Sequence, residues 1–484
     1  MKPFNFVRVS DNASGIIILL MVVLAPWMLG TTSNNAIQFL NFLGISSGIL
    51  QITKCVVNLK WVSTEKGKGL KFKSHWSMAS VFLGCITLLG YVLCSAFNSA
   101  GVLKYTYELS SPIASGVDVE YLSYIEWLPQ SYDRERTLRA FWKYLAITMS
   151  FFAARDWLKG RSQRGLEFYS GDPSFPTDRM LVFFWVLSIS SAVLALVGIL
   201  QRLDGGQKLL WWFDTSMRGG DAAFGPYPYR SNGAQYLNLV WPITLGIWWV
   251  IRRRTVERHY SSHRIGKDPQ LLFLACAVLI AAGVVVANSR GGFLVLVGLL
   301  LVFVVLGSSS GKRQWRFKVG GLSAIFCGFL LGWWLGGDLI LRRFYNEDFS
   351  QMSGRNLIYD DATRMAKDFA LFGSGAETFA PLYYFYRLKD PVWSAYVHND
   401  YLETLITFGC FGAILIFLIF VSVWLVPFYG NGIPAPREFI GCIAVSMAGI
   451  MVHALFDLPF QIYSLHFEFA MLCALLTCLR WQKR

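Results

Sequence analysis

The stretch QLLFLACAVLIAAGVVVANSRGGFLVLVGLLLVFVVL, residues 270–306, is two apolar runs broken only at Asn288-Ser289-Arg290-Gly291. Each run has about the length a helix needs to cross roughly 30 Å of hydrocarbon. Lipid offers the backbone no water to bond, so open sheets are excluded and helices are expected. Runs of the same kind recur near 14–30, 35–54, 76–97, 137–157, 179–201, 233–251, 319–337, 401–426, 437–456 and 460–480. The expected fold is therefore an all-α polytopic membrane protein of about twelve transmembrane helices. One large loop separates the ninth from the tenth. The organisation reads as helices one to nine over 1–337, an outer loop domain over 338–400, and helices ten to twelve over 401–484. A chain of 484 residues that is 54% apolar and only 15% charged does not suit a string of soluble domains. Lys2 and Arg8 precede the first run as in a signal sequence. No small-residue cleavage site follows, and a second run comes at once, so a retained anchor is expected.

The formal charge of +14 is unevenly spread. Lys54, Lys60, Lys66, Lys68, Lys71 and Lys73 share one connection; Arg252, Arg253, Arg254, Arg258, Arg264 and Lys267 share another. Lys312, Arg313, Arg316 and Lys318 fill a third, and Arg480, Lys483 and Arg484 close the chain. With alternating spans all four fall on one side, the cytoplasmic side by the positive-inside rule. Both termini are then cytoplasmic. The basic excess is a topology signal, and no nucleic-acid partner is expected. The nine cysteines lie in or beside apolar runs with no CxxC pair, so they read as packing residues, with neither disulfide frame nor zinc site.

Polar chemistry is left to the outer segments. Segment 98–136 carries Glu108, Asp118, Glu120, Glu126, Asp133 and Glu135, and beyond it Arg139 and Lys143 share a helix face. These two suit interfacial snorkelling or ligand binding. Segment 202–232 holds Trp211, Trp212, Phe224, Tyr227 and Tyr229, an interfacial belt or a surface for sugar rings, the belt being favoured. Arg290 sits in the shortest turn, where an arginine is costly unless paired or facing a wet cavity. It is either a snorkelling residue or a forked receptor for a diphosphate, and the glycines after it allow close backbone approach.

In the large loop, Gly354-Arg355 precedes a helical pattern. Leu357, Ile358, Ala362, Met365 and Phe369 would turn inward, with Asp360, Asp361, Arg364, Lys367 and Asp368 toward water. Gly373-Ser374-Gly375 reads as a turn. It is no nucleotide loop, since neither a strand before it nor a Lys-Ser/Thr after it is present. Tyr383, Tyr384, Phe385, Tyr386, Trp393 and Tyr396 lead to His398, at the start of the next helix. A lone histidine is either structural or, amid arginines on an outer face, a base near pH 7, with Asp400 or Glu403 to orient it. His453 and Asp457, four apart, form a second polar pair. Glu468 is expensive in a span and expected to be paired.

Together these segments resemble the O-antigen ligase-like superfamily of bacterial membrane glycosyltransferases, which includes O-antigen ligases, O-antigen and exopolysaccharide polymerases and protein O-oligosaccharyltransferases. The resemblance rests on Trp127-Leu128-Pro129 with Ser131 and Thr137, Asn232 through Tyr236-Leu237 to Pro242, Ser289-Arg290-Gly291-Gly292, and Gly354-Arg355. It continues through Gly373-Ser374-Gly375, His398-Asn399-Asp400-Tyr401-Leu402 running to Gly409 and Gly412, and His453 with Asp457. Thr407 stands where the family often has Glu.

The resemblance implies a GT-C-like fold in the bacterial inner membrane with its site on the periplasmic face. It implies inverting, metal-independent transfer, without a cofactor, from an undecaprenyl-diphosphate-linked saccharide to a hydroxyl of a glycan, a lipid A-core or another acceptor. His398, Arg290 and Arg355 map onto the family's essential residues. Arg230, Asn232 and Asn399 are further candidates for contacting substrate, and Tyr384, Tyr386 and Trp393 for a sugar platform. The rival class is a transporter or lipid-linked saccharide flippase. Such proteins collect ionisable residues near the midplane, whereas here only Glu468 and His466 lie deep.

Overall fold

The computed structural model describes residues 3–65, 76–107, 114–160, 175–205, 208–213, 222–259, 270–308, 312–345, 350–388 and 393–481. Each predicted apolar run coincides with a helix. These are α1 (Pro3–Trp27), α2 (Asn34–Glu65), α3 (Trp76–Phe97), α4 (Arg134–Leu158), α5 (Asp178–Leu203), α6 (Arg230–His259), α7 (Gln270–Val286), α8 (Arg290–Ser308) and α9 (Lys312–Tyr345). After the loop come α12 (Asp400–Tyr429), α13 (Arg437–His453) and α14 (Tyr463–Cys478). By length and composition, stretches within α1, α2, α3, α5, α9 and α12 can each cross a bilayer, and α7, α8 and α14 are shorter apolar helices. The chain is a mostly helical, multi-pass membrane protein; the six long spans carry that statement, and twelve crossings go beyond it.

Two departures concern the outer face. The segment after α3 is not irregular: β1 (Gly101–Tyr107) pairs antiparallel with β2 (Ala114–Tyr121). Val102, Tyr105, Val117, Val119 and Tyr121 give it the β-branched and aromatic content that favours strands. The large loop does not begin at Asp338, because α9 continues through Leu339, Ile340 and Leu341 to Tyr345, with Arg342 and Arg343 in its last turn. Cations there complement the negative end of the helix dipole.

The loop itself is largely helical, with α10 (Ser350–Asp368) and α11 (Phe379–Tyr386). Ile358, Ala362, Met365 and Phe369 pack inward against Phe379, Leu382 and Tyr383, as the periodicity predicts. Asp361 is the exception. It was expected to face water but is buried; Arg364 pairs with it one turn on, and the Tyr383 hydroxyl donates to it at 3.4 Å. α11 folds back over α10 at that point and closes it from water.

The loop docks into a break in α12. Gly409 has φ 61° and ψ −174° inside that helix, a conformation open in practice to glycine alone. The backbone groups set free there find partners in the loop: Cys410 N donates to Ala370 O at 2.8 Å and Phe411 N to Leu371 O at 3.2 Å. In return Ser374 N reaches Ile406 O at 2.8 Å and Gly375 N reaches Thr407 O at 3.1 Å. Broken backbone at membrane depth is tolerated only when it is bonded in this way.

At the opposite end of the bundle, buried Lys54 of α2 pairs with Asp11 of α1 and Asp156 of α4, and Arg179 of α5 also pairs with Asp11. Lys66, Lys68, Lys71, Lys73, Arg264, Lys267, Lys483 and Arg484 lie outside the described residues.

Candidate active site

Three turns and one helix start meet at the N-terminal end of α6. The start of α12 supplies His398. The turn after α13 supplies Asp457, the first turn of α6 supplies Ser231, and the turn between α7 and α8 supplies Ser289. Asp457 is the hub. Its Oδ1 accepts Leu458 N–H at 3.1 Å and faces His398 Nδ1 at 3.4 Å. Its Oδ2 accepts the Ser231 hydroxyl and faces His453 Nε2 at 3.7 Å. Ser289 Oγ donates to Ser231 Oγ at 3.2 Å and accepts Gly292 N–H at 3.1 Å.

His398 is fixed from three sides. It has φ 59°, a strained left-handed conformation for a non-glycine residue and one that concentrates at functional sites. The Tyr359 hydroxyl donates to its carbonyl at 2.9 Å. The preceding Val397 N–H donates to Glu403 Oε2 at 3.1 Å, and the following Asn399 caps α12 by accepting Tyr401 N–H and Leu402 N–H at 3.1 Å each. The imidazole therefore has one backbone setting. The reading that Asp400 or Glu403 orients the ring does not hold: Asp400 Oδ2 accepts Phe460 N–H at 2.8 Å, and Glu403 holds Val397. The orienting carboxylate is Asp457, 59 residues further on.

Burial drives the Asp457 carboxyl upward, but the hydrogen bonds from His398 and Ser231 and the neighbouring His453 outweigh it, and its pKa lies below the usual carboxylate value. Asp457 is thus an anion at neutral pH, and a proton on His398 Nδ1 would face it, with Nε2 then free to accept one. The 3.4 Å contact is long for such a bond. The His398 side chain is 26% exposed and that of His453 1%, so only His398 can meet a substrate.

Two arginines are anchored on backbone carbonyls close to this pair. Arg355 NH1 donates to Phe456 O at 2.7 Å, one residue from Asp457. Arg343 NH1 donates to Asn288 O at 3.0 Å, over the Ser289 turn. Arg290 follows Ser289 at once, and Arg230 precedes Ser231. The turn fits because Gly291 has no side chain: a Cβ there would lie 2.9 Å from His453 Nε2. Asn232 is buried beside Ser231 with Oδ1 unpartnered among the described residues. Burial, with Asp457 nearby, pushes the Tyr229 hydroxyl up to about 12, so it stays a neutral donor.

The predicted residues divide between two places. His398, Arg355, the Arg290 turn, Arg230 and Asn232 gather at the Asp457 hub, and Asn399 serves there as a helix cap. Tyr384 and Trp393 instead pack against each other as a tilted pair at 5.1 Å, with Arg387 over Tyr384 at 4.7 Å. Tyr386 donates to Asp368 at 2.7 Å. Of the aromatics in 202–232, Trp212 is 79% exposed, as a belt residue is, whereas Phe224 and Tyr227 are fully buried. Glu468, expected to be paired, has no hydrogen-bond partner on either carboxylate oxygen among the described residues. Sequence reasoning missed Ser231 and Arg343, and read Asp457 only as a partner of His453. The signal for Asp457 was that pair; for Arg343 it was the adjacent Arg342-Arg343. Among the described residues no three His, Cys, Asp or Glu side chains are grouped to hold a metal ion.

Comparison with curated proteins and with solved structures finds no match. Comparison with protein families matches residues 275–417 to the family described as O-antigen ligase. The matched segment holds the Arg290 turn, Arg355, His398 and the Gly409 break, and it ends before Asp457. Over residues 275–417 the chain is thus similar to the O-antigen ligase family, in line with the resemblance to the O-antigen ligase-like superfamily.

Proposed function

We propose that the protein transfers a saccharide from undecaprenyl diphosphate to an acceptor hydroxyl at the periplasmic face of the bacterial inner membrane, as a ligase or polymerase. The observation that carries this reading is the partly exposed His398 facing the buried Asp457 carboxylate, with Arg355 anchored on the neighbouring Phe456 carbonyl. His398 Nε2 takes the proton of the acceptor hydroxyl as its oxygen attacks the anomeric carbon. The bond from that carbon to the diphosphate oxygen breaks, and the lipid diphosphate departs with the electron pair. Attack opposite the leaving group inverts the centre. Arg290 and Arg355, with Arg343 beside them, stabilise charge as it grows on the leaving oxygen. Asp457 steadies the imidazolium.

The test is substitution of His398 in a membrane transfer assay. A positioned base contributes about 10²–10⁴-fold in rate, so His398→Gln and His398→Ala should both lose most transfer while accumulating normally in the membrane. A wild-type rate in His398→Gln would remove His398 as the base. His453→Ala, altering the closed imidazole, should keep partial activity.

A further inference from the structure

Between β2 and α4 the chain runs Tyr121-Leu122-Ser123-Tyr124-Ile125-Glu126-Trp127-Leu128-Pro129, and the site described above uses none of it. Every residue from Tyr121 to Trp127 is exposed. Tyr121 is 76% exposed and Trp127 73%, with Leu122, Tyr124 and Ile125 open between them. A surface that meets only water rarely gathers so many large apolar side chains in one place.

The stretch is held on a fixed frame. Leu128 N donates to Ile125 O at 3.1 Å and closes a turn with Glu126 and Trp127 at its tip. Asn98 grips that turn with its whole amide. Its Nδ2 donates to Ile125 O at 2.9 Å, Leu128 O at 3.3 Å and Pro129 O at 3.1 Å, and its Oδ1 accepts Ile125 N–H at 2.8 Å. Both ends of the stretch meet at Ala100, whose carbonyl accepts Leu122 N–H at 3.0 Å and whose N–H donates to Ser131 O at 2.8 Å. Beyond it Tyr132 N donates to Ser374 O at 3.0 Å, so the frame is joined to the loop domain.

The depth of the turn is given by α3, whose apolar span is Met78–Phe97. Asn98 follows that span directly, and Ser95, inside it, donates through Oγ to Gln130 O. The turn therefore stands level with the end of a membrane span. The same surface continues along Phe82, Leu83, Ile86 and Phe97 of α3 and Trp142 of α4, all exposed. Arg134 lies over the Phe97 ring at 5.0 Å, and Arg139 is exposed further along α4. Lys143, by contrast, turns inward to 3.3 Å from Glu377 Oε1. Trp and Tyr are the residues that collect at the level of lipid headgroups, and guanidinium groups beside them suit lipid phosphates. Glu126 at the tip limits the depth, because charge enters hydrocarbon only at a high cost.

We propose that residues 121–128 form a preshaped wedge seated in the headgroup–acyl boundary of the leaflet at this end of α3. Tyr121 and Trp127 enter lipid, and Glu126, Arg134 and Arg139 stay at headgroup level. The partner of this surface is the bilayer itself, not a second copy or another protein. The proposal does not rest on the transferase reading.

The test places the photoreactive residue p-benzoylphenylalanine at Trp127 or at Tyr121 of the full chain, in phospholipid vesicles, and measures the intact mass after illumination. Leu83, exposed within the α3 span, is the position that must meet lipid; Lys104, paired in the open with Glu120, is the one that must not. Phospholipid adducts are expected at Trp127 and Tyr121 in amounts comparable with Leu83, and none at Lys104. Adducts at Leu83 with none at Trp127 and Tyr121 overturn the proposal. A crosslinked dimer at Trp127 in place of the lipid adduct gives the surface to a second copy and also overturns it. Lipid adducts at all four positions overturn it as well, since the whole hairpin would then lie on the bilayer and the turn would be no wedge.

Discussion

At His398 and Asp457 the chemistry depends on which atom carries which charge. A carboxyl whose folded pKa is depressed contributes stability that is complete above its unfolded value, about 3.9 for Asp. That stability is lost as pH falls through the lower folded value. Asp457 is in this position. In thermal melts the wild type should therefore lose more stability than Asp457→Asn on acidification below about pH 4; equal losses would mean that Asp457 is not held as an anion. The arginines make a second claim. Forked donors fit two phosphate oxygens at once, and an ammonium does not. Arg290→Lys and Arg355→Lys should lose most transfer at normal membrane levels, and full activity in both would return them to packing or topology roles. Arg290 stands out in the sequence because a turn between two apolar runs makes polarity expensive, and His398 because it lies among arginines and aromatics at a helix start, whereas Arg355 enters through the resemblance. Asp457 as orienting partner was not, since nothing local links positions 398 and 457, and the nearer carboxyls Asp400 and Glu403 were the natural candidates.

Among elements, the runs of apolar residues gave away every long helix, and the inward face of α10 followed from its period. What stayed hidden was the meeting of Gly373 with Gly409. Both glycines were visible, one as a turn and one as part of a motif, but the contact joins backbone atoms and leaves no trace in side-chain pattern. A Cβ at Gly409 would land on the Leu371 carbonyl, and the φ would be strained besides. Gly409→Ala should accordingly cut the folded yield in membranes sharply. Gly298→Ala, in α8 with nothing within 4 Å of the new carbon, should leave it unchanged. Equal yields would show that the break in α12 does not need its glycine. The hairpin of β1 and β2 was missed for a different reason: one short pair of strands is overshadowed by so much apolar helix.

Across the molecule, two charged clusters stand at opposite ends, the Asp457 hub at one and the Lys54 cluster at the other. The positive-inside rule, applied to the basic connections, predicts a cytoplasmic Lys54 end. Reporter tags at Lys66 or after Arg484 should read as cytoplasmic and a tag at Asp390 as periplasmic; a cytoplasmic reading at Asp390 would separate the site from its donor.

The Lys54 cluster also sets a timetable for biosynthesis. Asp11 and Lys54 emerge from the ribosome early, but Asp156 lies 102 residues beyond Lys54 and Arg179 later still. At about 5–20 residues per second, the first pair waits roughly 5–20 s for its partners. Until α4 is made, neither Asp156 nor Arg179 is present to join Asp11 and Lys54. A nascent chain halted before residue 156 carries an unfinished clasp, the kind of exposed buried charge that quality-control proteases can act on before the rest of the bundle is made.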